Sequence, residues 1–320
     1  MTSEQAARQA DGTLVAQRDA PIGGQAVLEG VMMRGVSTWA VAVRKPDDAV
    51  DVQSFPLVSV LKKHRLLRLP VVRGAVALFE SLGIGFKALG IAANAQLDEG
   101  EKELSGKAWT GTIVVAMAFS IALFFLLPAA LTNLSGAGED NGIVFVVVEK
   151  VVRVSIFLGY LWLISRMKDL QRVFQYHGAE HKTISCYEAG LDLTPENAQR
   201  FSRLHPRCGT SFLLIVMIVS VFVFAPFGKL DWHWLFISRV LGIPIVAGLA
   251  FELIKWFGKN RTKRWARALM WPGIQLQRLT TREPDLAQLA VAITALQAVL
   301  DVETPDSVAE ADKIGIEVAA

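Results

Sequence analysis

Four uncharged or nearly uncharged runs dominate the hydrophobic pattern of the chain. "AWTGTIVVAMAFSIALFFLLPAAL" (108–131) and "TSFLLIVMIVSVFVFAPF" (210–227) carry no charge. "IVFVVVEKVVRVSIFLGYLWLIS" (143–165) is interrupted only by Glu149, Lys150 and Arg153, and "WLFISRVLGIPIVAGLAFELIKW" (234–256) only by Arg239, Glu252 and Lys255. Runs of about 20 apolar residues match a bilayer core of about 30 Å. The pattern therefore predicts four transmembrane helices in a mainly α-helical integral membrane protein. Elsewhere the periodicity changes. "TWAVAVRKPDDAVDVQSFPL" (38–57) alternates apolar and polar residues around "KPDDA", which predicts a β-hairpin, and the glycine-rich residues from 21 read as a loop feeding a strand. Residues 69–96 show helical periodicity with Arg73, Glu80 and Lys87 scattered through it, as in an amphipathic helix lying on a membrane face or on a cytoplasmic domain. Residues 166–190 continue the second span as a helix to Gly190, 194–201 begin a short helix at Thr194 and Pro195, and 284–303 form an amphipathic helix.

These elements divide the chain into a disordered tail (1–20), a cytoplasmic α/β region (21–107), a four-span region (108–257) holding a polar loop (166–209), and a final section (258–320). That section holds a basic juxtamembrane run, a helix and a loose acidic end. No internal repeat is visible, and the N-terminus has no apolar core of the kind a signal peptide needs. The charge pattern adds orientation. Connections 132–142 and 228–233 hold one lysine between them, whereas 166–209 carries seven Lys or Arg residues. Lys259, Arg261, Lys263, Arg264 and Arg267 follow the last span. The positive-inside rule then places both termini and the polar loop in the cytoplasm of a multi-pass inner-membrane protein. The lipid bilayer is the expected partner, together with a second copy of the chain or another membrane protein. A formal net charge of +3 gives no argument for nucleic acid.

The polar loop concentrates the chemistry. His177, Glu180 and His181 spell H-x-x-E-H, in which two imidazoles four residues apart hold a metal and the glutamate serves as general base. Glu188 falls on the same stripe. "HPRCG" adds His205 and Cys208, so three of the five histidines and both cysteines lie within 177–208. Imidazole and thiolate are ligand types that Zn²⁺ prefers, and Pro206 and Gly209 bracket a turn that fixes them. The bland reading is a buried Cys208 and a capping His205. Glu252 could serve as a carboxylate ligand or orient the histidines, or simply reach Lys255. Glu149, Lys150 and Arg153 are expected to pair with one another. In "GGQAVLEGVMMRG" (23–35), Glu29 is a potential ligand, or else a salt-bridge partner of Arg34, and the spacing fits no phosphate-binding glycine loop. Cys186 and Cys208 facing the cytoplasm would stay reduced.

Taken together, "GGQAVLEGVMMRG", "AVRKPD" (42–47), "FLGYLWLISRMKDLQRVFQYHGAEHKTISCYE" (157–188), "HPRCGTSFLL" (205–214) and "QRLTTREPD" (277–285) resemble the YqhQ family of bacterial membrane proteins over most of 21–303. The resemblance implies a multi-span membrane protein described as a predicted metal-dependent enzyme. Its histidine and cysteine positions match at His177, His181, His205 and Cys208, with Glu180 intact. Val36 stands where relatives are expected to carry proline.

The leading expectation is a membrane-embedded metal-dependent hydrolase, most simply with Zn²⁺. His177, His181 and one or both of His205 and Cys208 would be ligands, with Glu180 as general base. The alternative is a non-catalytic scaffold or assembly factor with a structural metal; a transporter lined by Glu252 is a third reading. Three protein ligands leave a position open for catalysis, whereas four close it.

Overall fold

In a computed structural model the protein is described over residues 6–9, 11–16, 20–62, 64–97, 105–137, 142–227, 232–260 and 263–304. Its centre is a four-stranded antiparallel sheet of β3 (Gly23–Val27), β4 (Gly30–Arg34), β5 (Thr38–Arg44) and β6 (Val50–Pro56), in that order. The hairpin at 38–57 forms with Thr38 opposite Pro56 and Arg44 opposite Val50, and it is half of this larger sheet. Ahead of it, β1 (Ala6–Arg8) and β2 (Leu14–Ala16) make a short hairpin within the segment read from sequence as a disordered tail. The N–H of Leu14 donates to the Arg200 carbonyl, which ties that hairpin down. The acidic end beyond 304 lies outside the described residues.

The helices are α1 (Val72–Ala95), α2 (Gly106–Ile121), α3 (Leu127–Leu134), α4 (Gly142–Ile164), α5 (Lys168–Glu188), α6 (Pro195–Gln199), α7 (Gly209–Phe224), α8 (Trp232–Lys259), α9 (Arg264–Thr280) and α10 (Leu286–Leu300). A π-helical turn at Ala122–Leu126 joins α2 to α3. Strand alternation sorts the sheet residues onto two faces. Val31, Met33, Ala40 and Ala42 face α5 and α10, meeting Tyr176, Ala179, Ile184 and Leu289. Met32, Trp39, Val41 and Val43 face α1, meeting Ile84, Ala88 and Ala92. The result is a sheet sandwiched between helices, which holds α5 rigidly from one side.

The four-span expectation is overturned. Among the described residues, two helical stretches, Val72–Ala95 and Gly106–Leu134, are long and apolar enough to cross a membrane, which points to membrane association. Only the second was among the four expected. Just 6% of its most apolar window is buried, against 33% for Val72–Ala95, whose C-terminal half covers the sheet. Helix α4 fails on charge: Glu149, Lys150 and Arg153 are all buried, with Glu149 bridging Lys150 at 2.9 Å and also pairing with Arg153. Helix α7 has 16 residues, about 24 Å, which falls short of the hydrocarbon thickness. Helix α8 contains Pro244 and Glu252, and it packs Phe251 against Gly74 and Ala77 of α1.

Candidate functional site

The H-x-x-E-H segment occupies the second half of α5, which is a separate helix from α4 because the backbone turns extended at Met167. Gly190, at φ 66°, terminates it. Burial there is nearly complete: Glu180 is 1% exposed and His181 0%. Gly178 is required by a neighbour. A Cβ at that position would lie 2.1 Å from the carbonyl oxygen of Arg282, in the loop that follows α9. That loop is pinned to α5 by the Arg282 N–H, which donates to the Phe174 carbonyl at 2.7 Å.

His177, His181 and Cys208 present ligand atoms that all lie within 4.8 Å of one another. Both imidazoles are oriented by backbone. The Nδ1–H of His177 donates to the Thr280 carbonyl at 2.8 Å, and that of His181 to the Arg203 carbonyl at 2.6 Å. Each Nε2 therefore keeps its lone pair and points inward, the arrangement that outer-shell carbonyls impose on metal-binding histidines. Nε2 of His177 lies 3.3 Å from the Cys208 sulfur, and the buried Nε2 of His181 faces the same sulfur without a well-formed hydrogen bond. Cys208 stands at the start of α7, where the Thr210 N–H donates to its sulfur at 3.4 Å. Burial opposes ionisation of this thiol, but His181 and the Thr210 N–H outweigh it and hold the Cys208 pKa below its ordinary value.

Glu180 completes the group. Its Oε1 is buried without a hydrogen-bond partner, and strand β3 roofs it. The Ala26 N–H faces the carboxylate, and a Cβ on Gly24 would come 2.8 Å from its Cγ. The glycine-rich stretch thus lets a strand approach the glutamate, a contact that sequence reasoning missed because 156 positions separate the partners. Burial, foremost, pushes the Glu180 carboxyl up to about 8, with the nearby His177 pulling the other way. Two orphaned buried atoms, His181 Nε2 and Glu180 Oε1, beside a thiol and a second imidazole fit a divalent transition metal. Buried polar atoms are otherwise nearly always satisfied.

Other expected site residues are placed differently. His205 is not in the ligand group. Its Nδ1 accepts the Arg207 N–H at 3.4 Å and its Nε2–H faces Glu188 at 3.3 Å, so a neutral ring has no lone pair left for a metal. Its ring still lies 5.6 Å from that of His181, close enough to wall the site. Glu188, on the expected stripe, instead anchors the N-terminal segment. It accepts the Ala20 N–H at 2.9 Å and pairs with Arg207. Burial alone would raise its pKa; Arg207, His205 and the Ala20 N–H overcome this and hold it at about 2. Glu252 is bidentate to Arg73 across the α1–α8 contact. Glu29, at φ 51° in the β3–β4 turn, pairs with Arg172 and accepts from the Tyr176 hydroxyl at 3.2 Å. The Arg34 guanidinium, its expected partner, reaches Ser81 at 2.7 Å. Gln277 of α9 was not foreseen. Its amide accepts the His205 N–H at 2.9 Å and donates to the His205 carbonyl at 2.7 Å, locking the "HPRCG" loop to α9.

Fold and site together define a membrane-associated α/β protein with a buried His-His-Cys group and an adjacent carboxyl, built from α5, the α6–α7 loop, α9 and β3. Residues 69–302 match the family described as "Protein of unknown function (DUF1385)". The chain is also 36% identical over 295 residues to "Uncharacterized protein YqhQ" of Bacillus subtilis (strain 168), covering 88% of this chain and 92% of that protein. The chain belongs to this family. No solved structure matches it.

Proposed function

We propose that the protein is a membrane-associated metal-dependent hydrolase, most simply a zinc enzyme. The observation that carries this reading is the convergence of His177 Nε2, His181 Nε2 and Cys208 Sγ within 4.8 Å, with both Nδ1 atoms held by carbonyls. A divalent ion in such a site supplies Lewis-acid activation of water and substrate. In its carboxylate form, which burial disfavours and a neighbouring cation would favour, Glu180 would take the attacking water's proton and return it to the leaving group. His177 and His181 stay oriented through Thr280 and Arg203. The buried surroundings and the β3 roof keep bulk water from the carboxyl.

Catalysis is favoured over a purely structural metal by ligand count. Three protein ligands converge, and the fourth expected one, His205, is committed to Glu188 and Arg207. The density of Lys and Arg in 166–209 and in the section from 258 supports a site on the cytoplasmic side of the inner membrane, with both termini on that side.

The test is metal content of the purified detergent-solubilised protein by inductively coupled plasma mass spectrometry. We expect about one zinc per chain, as three protein ligands hold in catalytic sites. It is lost in His181→Ala and Cys208→Ser and retained in Glu180→Gln. No stoichiometric metal, even after reconstitution with Zn²⁺, would overturn the reading.

A further inference from the structure

Beside Cys208 an apolar groove runs between α7, α8 and α9, with an enclosed part of about 50 Å³ that widens into an open mouth. Leu214, Ile215 and Ile218 form one wall, Ile254 and Phe257 the second, and Met270 the third. Its polar end is Arg207 and Ser211, the residues flanking the metal-site cysteine. There the groove is finished tightly: Gly273 approaches Ser211 so closely that a Cβ would lie 2.9 Å from the serine hydroxyl, and Gln277 donates to that hydroxyl at 3.0 Å. From Ser211 to Ile218 the groove follows α7 for about 10 Å.

Three observations say what such a groove takes. Its walls are apolar, and so are the exposed lining residues at its mouth, Ile218 at 48% and Leu269 at 60%. These are surfaces that hydrocarbon covers more readily than water. Trp256 and Trp265 lie with ring centroids 4.7 Å apart where α8 meets α9, both exposed, as indoles sit at the level of lipid headgroups. Helix α9 begins with the exposed cations Lys263, Arg264 and Arg267, which complement an anionic headgroup layer. A polar partner would leave the walls bare, and a peptide strand would bring backbone groups that they cannot satisfy.

We infer that this groove holds one hydrocarbon chain of an anionic membrane lipid, with the headgroup presented at Arg207–Ser211 beside Cys208. Resting on the hydrolase reading above, this makes the substrate class an anionic amphiphile entering from the bilayer. The Arg207 guanidinium, held by the Ala20 carbonyl at 2.8 Å and by Glu188, stiffens the rim between groove and site.

The experiment uses the full-length protein in phosphatidylglycerol nanodiscs with two photoreactive phosphatidylglycerols. One carries a diazirine at the end of an acyl chain, the other in the headgroup. Peptide mapping by mass spectrometry should find the chain probe on Leu214, Ile215, Ile218 and Met270, and the headgroup probe on the segment 205–211. Ile215→Trp, which fills the groove, should lose both sets of adducts. Adducts of bulk lipid on the exposed α2 residues Val114 and Phe119 should persist. Should that variant unfold, Met270→Trp fills the groove from the opposite wall. Labelling that is as dense on α2 as in the groove, probes attached in the reverse order, or a tryptophan variant labelled like the parent would each overturn the inference. Metal content measured on the same sample separates the two readings: groove labelling without metal sinks the hydrolase alone, and metal without groove labelling sinks the lipid site alone.

Discussion

Gly178 offers the sharpest test of how the site is assembled. In a helix interior, alanine is favoured over glycine by about 1 kcal/mol, so Gly→Ala at an unobstructed position should stabilise. Gly83 in α1 is such a position, with nothing within 4 Å of where the added methyl group would sit. At Gly178 the same methyl would lie 2.1 Å from the Arg282 carbonyl oxygen. That atom is backbone, in a segment fixed by the Arg282 N–H bond to Phe174, and it cannot swing aside as a side-chain tip does. Overpacking a filled site costs about 1–3 kcal/mol, which outweighs the propensity gain over most of that range. The gap between Gly83→Ala and Gly178→Ala should then be about 1–3 kcal/mol, since the propensity contribution cancels between them. Displacing residue 282 also moves Thr280, whose carbonyl orients His177, so metal retention should fall along with stability. Thermal unfolding in detergent, with metal content before and after dialysis against a chelator, reads both. A Gly178→Ala protein as stable as Gly83→Ala, with metal held as in the parent, would refute the packing argument and the role given to the loop after α9.

The other predictions are simpler. Glu188 has a folded pKa of about 2 against an ordinary 4.5. Its contribution is therefore complete above pH 4.5 and disappears as pH falls toward 2, worth about 3 kcal/mol by linkage. Glu188→Gln should flatten that acid limb in pH-dependent unfolding, and it should lower neutral stability because Arg207 loses a buried partner. Glu252→Gln should leave metal content unchanged, because the carboxylate is paired with Arg73 in the α1–α8 contact; metal loss in that variant would restore Glu252 to the site. Gly24→Ala should retain metal while changing the environment of Glu180, visible as an altered carboxyl stretch in infrared difference spectra against Glu180→Gln. An unchanged stretch would refute the β3 roof.

Local patterns in the sequence were legible where the physics is local. The hairpin around "KPDDA" follows from alternation and turn residues, and the pairing of His177 with His181 from helical spacing. The mutual pairing of Glu149, Lys150 and Arg153 follows because charges in an apolar helix need partners close by. What failed depended on which surface each apolar face meets. The amphipathic reading of 69–96 left open whether its apolar face meets lipid or protein, since hydropathy is the same for both, and Ile84, Ala88 and Ala92 meet the sheet. Glu29 was read beside its sequence neighbour Arg34 but bonds Arg172 on α5, because the left-handed turn at residue 29 carries it to that helix. Gly24 signalled close approach without naming Glu180 as the neighbour.

His205 shows most directly why residue type and spacing underdetermine a metal site. It has the right chemistry, lies in the right loop, and its ring is 5.6 Å from His181. What removes it from the ligand group is bonding elsewhere. Its Nδ1 lone pair accepts the backbone N–H of Arg207, and its Nε2–H donates to Glu188. For His177 and His181 the order is reversed: each Nδ1–H donates to a backbone carbonyl, which leaves the Nε2 lone pair facing inward. The difference between three ligands and four, and hence between an open position and a closed one, thus rests on whether each histidine's neighbour is a backbone oxygen or a backbone N–H. Replacing Glu188 is the perturbation that could free His205. Metal held more tightly in Glu188→Gln than in the parent would mean that the fourth ligand is latent and that Glu188 keeps the site open.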